Sequence, residues 1–566
     1  MSFLRLKLPA LWRQDVEILL TMAVLAGCGL IYEYLLSHYT GRVLGAMDQV
    51  IFTMIGLMIV SMGVGAWCAR LVKDAFTTFV WTELCVAFLG ASVVLMIASM
   101  VALSEVFPRL LAMVYGLPDD LHPVGGVVDW VRRVADFFPY FMGVLIGFLL
   151  GLEIPLMARI REQLHARRLS HNTGTLYGAD YLGAGLGAVI WVWWLLQLEI
   201  SRAAVLVASV NWLVGLWFFI RYRKFIQNRR WLLVAQGVLL GWLLVISQMG
   251  LLWTGQLEAL LYQDDLVFSH SSRYQHVALT KRWQQTQSDP IYTLYLNGRT
   301  QFSSSDEHIY HAMLVMPAML ASNRQEKVLI IGGGDGLALR DVLTWDPDEV
   351  TLMDLDEEVI KLFSVPREDG LNAPLLALNQ QAFSDPRVDV VIGDAFIQVD
   401  KLLQEERLFD VIIVDLPDPG HPDLNRLYST RFYTKLKNLL MGDGAISIQS
   451  TSPYHAKQTF LCIGKTVEAA GFSFVQQMHQ NVPSFGEWGW TLATRQGASP
   501  KKRIQRLKSF PEHAWLSKDI LLGAFAFGRH FYDTLPEIKI NHLGSWQAYQ
   551  YHQQDWMTEQ GALSGL

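Results

Sequence analysis

Cysteine and positive charge are both scarce in this 566-residue sequence. The four cysteines, Cys28, Cys68, Cys85 and Cys462, have neither the pairing of a disulfide framework nor the spacing of a metal site, and we predict that they are small buried apolar residues. The formal net charge of −6 gives no sign of nucleic-acid binding. These shortages argue against disulfide-rich, zinc-binding and nucleic-acid-binding proteins.

Long apolar runs fill the first half of the chain. Seven of them are long enough to cross a bilayer, which takes about 20 residues of helix. They lie near residues 16–38, 48–69, 78–103, 136–158, 179–199, 202–220 and 231–253. The first run is too long for a cleaved signal peptide, lacks a small-residue cleavage site and is followed by six others. We therefore predict an all-α multipass domain over residues 1–254, embedded in the lipid bilayer of the cell (inner) membrane.

Five acidic residues lie within these runs or near their starts. They are Glu33, Asp48, Glu83, Glu153 and Asp180. Ionisable residues in membrane helices usually face the interior of the bundle, where they either line a path for a cation or make a hydrogen-bonded packing contact. Both interpretations stay open on the sequence. The first would make the chain a transporter or a sensor.

The second half of the chain has the pattern of a soluble α/β protein. Residues 262–305 alternate like strands and contain an Asn297-Gly298 hairpin signal, which predicts a small antiparallel β domain. Strand and helix patterns alternate over residues 306–496, with strands predicted at 327–331, 349–354, 388–392, 409–415, 443–449 and 472–478, which favours a parallel sheet covered on both faces. Residues 497–566 form an extension in which we find no catalytic motif.

A glycine-rich stretch organises this second half. Residues 328–331 are apolar and of buried-strand length, Gly332 to Gly336 follow, and a helical pattern comes next. This is the layout of a nucleotide-binding strand, turn and helix, in which Gly332, Gly334 and Gly336 allow a ligand to approach the backbone.

Two acids define the ligand of this turn further. Asp335 lies inside the glycine turn, where a phosphate would be repelled, so that the ligand is expected to carry a cation there. Asp354 ends the next strand, 18 residues beyond Gly336, in the position from which a carboxylate accepts hydrogen bonds from a ribose diol. The pattern predicts an adenosine ligand with a positively charged arm.

The stretch from Ile331 to Gly336 and the acid-tipped strand after it resemble the spermidine synthase family of aminopropyltransferases, in a long form fused to a multipass domain. The resemblance covers roughly residues 262–495. Further blocks match in order: Ser271 to Gln275, Leu296 to Gly298 with Gln301, Asp306-Glu307, Tyr310-His311, Val391 to Ala395, and Asp415 to Pro419. The family implies a methyltransferase-type Rossmann fold preceded by a small β domain.

The resemblance implies transfer of the propylamine group of decarboxylated S-adenosylmethionine to a polyamine, putrescine to spermidine above all, with release of methylthioadenosine. The sulfonium is already an activated leaving group, so no cofactor and no metal are expected. The attacking amine is protonated at neutral pH and must lose a proton to a base. Asp415 ends the strand over residues 409–414, which places its carboxylate at the mouth of the sheet, and Asp418 follows three residues later.

Roles of individual residues are carried over from the family by motif. Asp415 resembles the proton acceptor, with Tyr310 beside it. The donor or methylthioadenosine positions are Gln275, Gly332, Gly334, Asp335, Gly336, Asp354, Asp394, Ala395 and Pro422. The acceptor polyamine positions are His311, Asp335, Asp415, Asp418 and Phe485.

This sequence departs from the usual family pattern on the acceptor side. Ala312 replaces a glutamate, Leu416-Pro417 replaces small polar residues, His421 replaces a glycine and Phe485 replaces a tyrosine. These forms look more like thermospermine synthases and membrane-fused bacterial synthases, so that the identity of the acceptor stays open. The alternatives to aminopropyl transfer are an S-adenosylmethionine-dependent methyltransferase, and a transporter or sensor whose synthase-like half only binds a polyamine. The sequence also leaves a homodimer or a homotetramer open.

Two features of the sequence disagree about the side of the membrane on which the second half lies. Fourteen Lys and Arg residues lie outside the runs on the side of the N-terminus, and five lie on the other side. The positive-inside rule places the N-terminus in the cytoplasm, and seven spans then place the second half outside. A user of decarboxylated S-adenosylmethionine is expected in the cytoplasm. Either one run does not span, or the charge bias misleads, or the chemistry takes place outside.

Overall fold

A computed structural model describes residues 10–44, 47–117, 123, 125–165, 172–262, 264–272, 274–283 and 289–563. The chain divides into two compact units, Met1–Gln263 and Asp264–Leu566. The bounds of the four segments expected from the sequence, 1–254, 262–305, 306–496 and 497–566, stay predictions. Several residues used in the sequence analysis lie outside the described residues: Arg273 of the Ser271 to Gln275 block, and Arg5, Lys7, Arg167 and Arg168 of the charge count. Nor is the side chain of Asp48 described.

The described residues of the first unit form seven long helices. They are α1 (Ala10–Leu44), α2 (Met47–Cys68), α3 (Ala75–Val114), α4 (Val127–His165), α5 (Asn172–Trp193), α6 (Ile200–Arg221) and α7 (Arg229–Ala259). Five of them contain a predicted run in full, whereas α2 ends one residue before the end of its run and α5 ends at Trp193, although its run was predicted to reach residue 199. Each of the seven is long and apolar enough to cross a membrane. The predicted all-α unit with seven such helices is therefore confirmed.

Small residues allow two of these helices to touch along their backbones. A Cβ atom added to Gly183 of α5 would lie 1.9 Å from the carbonyl oxygen of Ala23 in α1, so that only glycine fits there. The cysteines follow the prediction in part. Cys28 and Cys462 are buried, but Cys68 is half-buried and Cys85 is exposed. An apolar run does not fix which face of its helix a residue occupies.

A four-stranded antiparallel sheet begins the second unit. Its strands are β1 (Asp265–Ser271), β2 (His276–Arg282), β3 (Ile291–Leu296) and β4 (Arg299–Ser303), in that order. Asn297 and Gly298 both have positive φ, 50° and 77°, as the tight hairpin turn between β3 and β4 requires. The predicted small antiparallel sheet is confirmed.

The larger sheet of this unit has seven strands in the order β10-β11-β9-β8-β5-β6-β7. Its strands are β5 (Lys327–Gly332), β6 (Glu349–Asp354), β7 (Val388–Ile392), β8 (Phe409–Asp415), β9 (Leu440–Gln449), β10 (Phe474–Val482) and β11 (Gly486–Thr494). The strands from β5 to β9 are parallel, as predicted, but β11 was not predicted and pairs antiparallel with both β10 and β9. A tight turn causes the reversal, since the Phe485 amide donates to the Val482 carbonyl at 2.8 Å.

Helices cover both faces of this sheet and give the predicted Rossmann-like α/β fold. They are α8 (Glu307–Ala321), α9 (Leu337–Leu343), α10 (Glu357–Ser364), α11 (Ala373–Leu378), α12 (Ala395–Gln404), α13 (Pro422–Asn425), α14 (Thr430–Leu439), α15 (Lys457–Ala469), α16 (Pro500–Gln505), α17 (Lys518–Gly523) and α18 (Gln547–Leu563). Alternate residues of the central strands pack on opposite faces. Val328 and Ile330 join the core beneath α8 and α9, whereas Leu329 and Ile331 join the core beneath α12, α14 and α15.

Candidate active site

The glycine turn after β5 lies against the end of β8. Gly332 is paired in register with Asp415, and its φ is +85°. A Cβ atom on Gly332 would lie 2.0 Å from the Asp415 carbonyl oxygen, so that the turn can approach β8 only with glycine at this position. The loops that follow two parallel strands are therefore held side by side at the carboxyl edge of the sheet, where α/β proteins bind their ligands.

Asp354 fixes the other side of the glycine turn. Its carboxylate accepts the amide hydrogen of Gly334 at 3.0 Å and that of Asp356 at 2.9 Å. Burial raises the pKa of Asp354 to about 6, although both hydrogen bonds oppose this shift. The next strand is tied to the same point, because the Gly393 amide donates to the Asp354 carbonyl at 2.8 Å.

Asp335 holds the turn in shape and leaves a carboxylate at the site. Its Oδ1 accepts the Leu337 amide at 2.9 Å, and its carbonyl accepts the Asn379 side-chain amide at 3.0 Å. Burial raises the pKa of Asp335 to about 6, repulsion from Asp415 adds to the shift, and attraction to His311 opposes it.

A short hydrogen bond joins Tyr310 and Asp415 at this edge. The Tyr310 hydroxyl donates to Asp415 Oδ1 at 2.6 Å, which joins α8 to the end of β8. Burial raises the pKa of Asp415, while the charge of His311 and the bond from Tyr310 lower it. Burial, together with the Asp415 carboxylate, raises the pKa of Tyr310 well above its ordinary value. The tyrosine is therefore the neutral donor and the aspartate the acceptor.

A buried ion network charges His311. Its Nδ1 donates to Glu307 Oε2 at 2.9 Å, and Glu307 also accepts from Arg340 at 2.8 and 3.1 Å. Burial opposes protonation of His311, but Glu307 outweighs it and raises the pKa to about 9. Burial likewise opposes ionisation of Glu307, yet its two partners lower the pKa to about 2. His311 is thus an imidazolium near neutral pH, beside the acids Asp335 and Asp415.

Asp418 is held by three side chains that the motif did not reveal. Its oxygens accept from Gln449 at 2.7 Å and from Thr451 at 2.9 Å, and they pair with His552 Nε2 at 3.4 Å. Burial opposes ionisation, but these partners, His552 first, lower the pKa of Asp418. His552 lies in the extension over residues 497–566, where no sequence signal marked it, because its role in the site depends only on how the chain folds back.

Aromatic rings border the pair formed by Tyr310 and Asp415. The ring of Phe485 lies 5.8 Å from that of Tyr310 and 5.1 Å from that of Trp488, and Trp490 lies 5.6 Å from Tyr310. Phe485 lies in the turn between β10 and β11, and Trp488 and Trp490 lie in β11. The hairpin that was not predicted therefore supplies the aromatic rings beside Tyr310.

The remaining predicted residues lie at the same edge of the sheet, except for Gln275, which is hydrogen-bonded to it. The Asp394 side chain caps α12 by accepting the Phe396 amide at 3.0 Å, and it pairs with Arg426 at 2.7 Å. Arg426 directly follows α13, the helix that Pro422 begins, while Ala395 is the buried first residue of α12. The side-chain amide of Gln275 donates to Asp356 Oδ2 at 3.0 Å and so ties the β1–β2 turn to the loop after β6.

Several known proteins are similar to this chain. The model of the spermine/spermidine synthase domain matches residues 307–505. A solved spermidine synthase in complex with a transition-state analogue is 25% identical and covers 48% of this chain and 88% of its own, with a TM-score of 0.42. A polyamine aminopropyltransferase of Shewanella oneidensis is 52% identical over 97% of this chain and 96% of its own length, and one of Leptospira interrogans is 32% identical over 95% and 98%. At this identity and coverage, the chain belongs to the polyamine aminopropyltransferase family.

Proposed function

We propose that this chain transfers the aminopropyl group of decarboxylated S-adenosylmethionine to a diamine, most simply putrescine, and releases methylthioadenosine. The observation that carries the proposal is the pairing of a carboxylate in the glycine turn, Asp335, with the hydrogen-bonded Tyr310 and Asp415 at the adjoining strand end. An adenosine on the glycine turn then places its cationic arm among acids rather than among phosphate-binding amides.

On the donor side, Asp354 accepts the ribose hydroxyls, and Gly332, Gly334 and Gly336 let the nucleoside approach the backbone. The loops that carry Asp394 and Pro422 flank the adenine side. Gln275 supports this region through Asp356. These roles are the ones that the family resemblance implies, and the position of Asp354, Asp394 and Pro422 at one edge of the sheet supports them.

The transfer needs a base for the attacking amine. The amine nitrogen gives its lone pair to the methylene carbon bound to the sulfonium, the carbon–sulfur bond breaks, and its electrons stay on sulfur as a neutral thioether. The proton lost from the amine passes to Asp415, whose ionised form the Tyr310 hydroxyl stabilises. His311, Asp418 and Phe485 line the acceptor side.

Asp335 also favours aminopropyl transfer over methyl transfer, the alternative reaction, because it discriminates between the two donors. Intact S-adenosylmethionine carries a carboxylate where the decarboxylated donor has none. Two like charges about 4 Å apart repel by about 4 kcal/mol at an effective dielectric constant near 20, which corresponds to roughly a thousandfold preference. The ammonium of the decarboxylated donor is attracted instead.

The purified full chain tests the proposal directly. It is incubated with decarboxylated S-adenosylmethionine and, in separate reactions, with putrescine, cadaverine, agmatine or spermidine. We expect methylthioadenosine release that depends on an amine and is fastest with putrescine. Release without an amine, or transfer only from intact S-adenosylmethionine, would refute aminopropyl transfer, and a faster rate with another amine would correct the acceptor alone.

We further propose that the seven helices of the first unit span the inner membrane. Their length and composition support this location. Protease added to intact cells tests the side of the second unit. Cleavage at the outer face would agree with the charge distribution and would require an exported donor. Protection would mean either that one run does not span or that the charge bias misleads. In the first case α7 would be the first helix to examine, because it directly precedes the catalytic unit.

A further inference from the structure

Two acidic side chains are buried inside the first unit, which we call the helical unit. Glu83 of α3 is 1% exposed and Glu153 of α4 is 2% exposed. The Oε1 atom of each is buried without a hydrogen-bond partner. An ionised carboxylate buried without a partner costs several kcal/mol. Either protons or another cation must therefore neutralise this pair.

Two further polar side chains converge on the acids and are left unsatisfied. The Asn211 side-chain amide of α6 donates to Glu83 Oε2 at 3.0 Å, while its own oxygen is buried without a partner. The hydroxyl of Tyr32 in α1 is also buried without a partner, and Tyr32 interacts electrostatically with both Glu83 and Glu153. Four helices thus each carry a buried oxygen without a hydrogen-bond partner, and a hydrogen bond or an electrostatic interaction links the other three residues to Glu83. Packing alone does not account for this, because a packing contact would satisfy these atoms.

The surrounding helices pack closely against two members of this cluster. A Cβ atom on Gly215 of α6 would lie 3.1 Å from Glu83 Cβ, and one on Gly90 of α3 would lie 2.2 Å from the Tyr32 ring. An alkyl amine would need an open path for its chain. Oxygen ligands suit hard cations. Among the described residues no group of three or more His, Cys, Asp or Glu is placed to hold a metal ion, which speaks against a multivalent one.

We propose that the helical unit binds one small alkali cation, Na⁺ or K⁺, between Glu83, Glu153, Asn211 and Tyr32. The cation supplies the missing partner of all four oxygens and offsets one of the two negative charges. A proton on the remaining carboxyl completes the neutralisation. The other titratable groups that act on this point are Cys28 of α1 and Asp180 of α5.

Thermal unfolding of the full chain in detergent tests the site. The midpoint of the helical unit is followed at fixed pH and ionic strength in NaCl, KCl or choline chloride, because choline is too large for the site. We expect Na⁺ or K⁺ to raise the midpoint in a saturable way, as binding to the folded state requires. The shift should vanish in Glu83→Gln and Glu153→Gln and persist in Glu33→Gln, which changes a half-buried acid of α1 outside the cluster.

The wild-type comparison decides the proposal even if the variants fold poorly. Equal midpoints in all three salts would refute it and leave protons as the neutralising ions. A saturable shift with putrescine that exceeds the alkali shift would also refute it, in favour of an organic amine. A shift that survives in both glutamine variants would place the cation elsewhere.

A separate set of contacts concerns the C-terminal extension. Its residues form hydrogen bonds with the loop and the short helix α13 that follow Asp418. The bonds run from Asn541 to the carbonyls of Asn425 and Tyr428 at 3.0 Å each, from Asn425 to the Ser545 carbonyl at 2.8 Å, and from Gln553 to the Gly420 carbonyl at 3.5 Å. His552 then reaches Asp418 itself, and it is fully buried.

We also infer that the C-terminal extension positions Asp418 through His552, so that residues 541–553 belong to the acceptor side of the catalytic unit. This rests on the proposed function. A carboxylate bonded by three side chains has one orientation, and loss of a partner lets it turn. His552 is a positioning residue, since its contact is with Asp418.

Steady-state kinetics of His552→Ala test this positioning role. A hydrogen bond to a charged group is worth enough to predict a loss of about tenfold to a hundredfold in kcat/KM for the amine, with the KM for the donor unchanged. His552→Gln keeps a donor for Asp418 and should recover much of the loss. His542→Ala is the matched control, because His542 lies in the same segment and pairs with Thr430 instead.

If His552→Ala lowered kcat/KM equally for donor and amine, or if His552→Gln recovered none of the lost kcat/KM, His552 would have only a general structural role. Full activity in His552→Ala would refute the inference. Failure of the proposed function is distinct, because then wild type itself releases no methylthioadenosine in the presence of amines.

Discussion

Replacing Tyr310 by phenylalanine should move the acid limb of the pH–rate profile upward. The Tyr310 hydroxyl donates to Asp415 Oδ1 at 2.6 Å, so it stabilises the ionised form of that carboxylate. Burial already raises the pKa of Asp415, and this bond is one of the two interactions that lower it. Without the hydroxyl, the carboxylate is harder to form, and more base is needed to reach the reactive state.

The size of the shift follows from the strength of the bond. A hydrogen bond to a charged group contributes about 1.5–3 kcal/mol, and one pH unit corresponds to about 1.4 kcal/mol. The acid limb should therefore rise by about one to two units. Tyr310→Phe should lose most activity at low pH and recover toward the wild-type rate as the pH increases. The ring contacts with Phe485 and Trp490 are kept, because phenylalanine has the same ring.

The assay measures kcat/KM for the amine from methylthioadenosine release between about pH 5 and pH 9, with wild type and variant in parallel so that protonation of the free amine cancels. Tyr428→Phe is the control. Its hydroxyl is also buried near the site but donates to the Pro417 carbonyl at 2.8 Å rather than to a carboxylate. An acid limb that stays in place or moves downward would refute the reasoning. A loss of equal size at every pH would mean that the hydroxyl acts on the substrate and not on the Asp415 charge.

Three further predictions follow from the same cluster. Asp415→Asn should keep donor binding and lose turnover by roughly two to four orders of magnitude, as loss of a general base does; near-normal kcat would reject the base assignment. Asp335→Asn should weaken binding of the decarboxylated donor and reduce discrimination against S-adenosylmethionine, measured as the ratio of the two dissociation constants by calorimetry; an unchanged ratio would contradict it. In wild type, the stabilisation from protonated His311 is complete below its ordinary pKa of about 6.5 and is lost as the pH rises through about 9. Glu307→Gln should remove this pH dependence of the unfolding midpoint of the catalytic unit. Asp341→Asn is the control, because it also removes a partner of Arg340 but should keep the pH dependence. If the midpoint changed equally with pH in both variants, Glu307 would not set the charge of His311.

Local patterns of the sequence predict much of the fold. Run length alone identified the seven long helices, because a bilayer span requires about 20 apolar residues whatever surrounds it. The glycine turn and the acids at the ends of β6 and β8 were likewise visible, since the carboxyl ends of parallel strands meet at one edge of a sheet. Asp335, Asp354 and Asp415 therefore lie at the same edge, as their motifs predicted, although their roles stay predictions until they are assayed.

Only the tertiary structure decided contacts between segments that are distant in the chain and carry no shared pattern. The hairpin of β10 and β11 reverses the sheet direction, because a short turn forces antiparallel pairing where alternation alone predicted a parallel strand. His552 reaches Asp418 across 134 positions, and no periodicity encodes such a distance. Glu83, Glu153, Asn211 and Tyr32 come from four helices, and a single helix reveals only that a residue is acidic or polar. Whether its oxygen is satisfied depends on which neighbours the packing brings to it, and that is the information the one-dimensional pattern lacks.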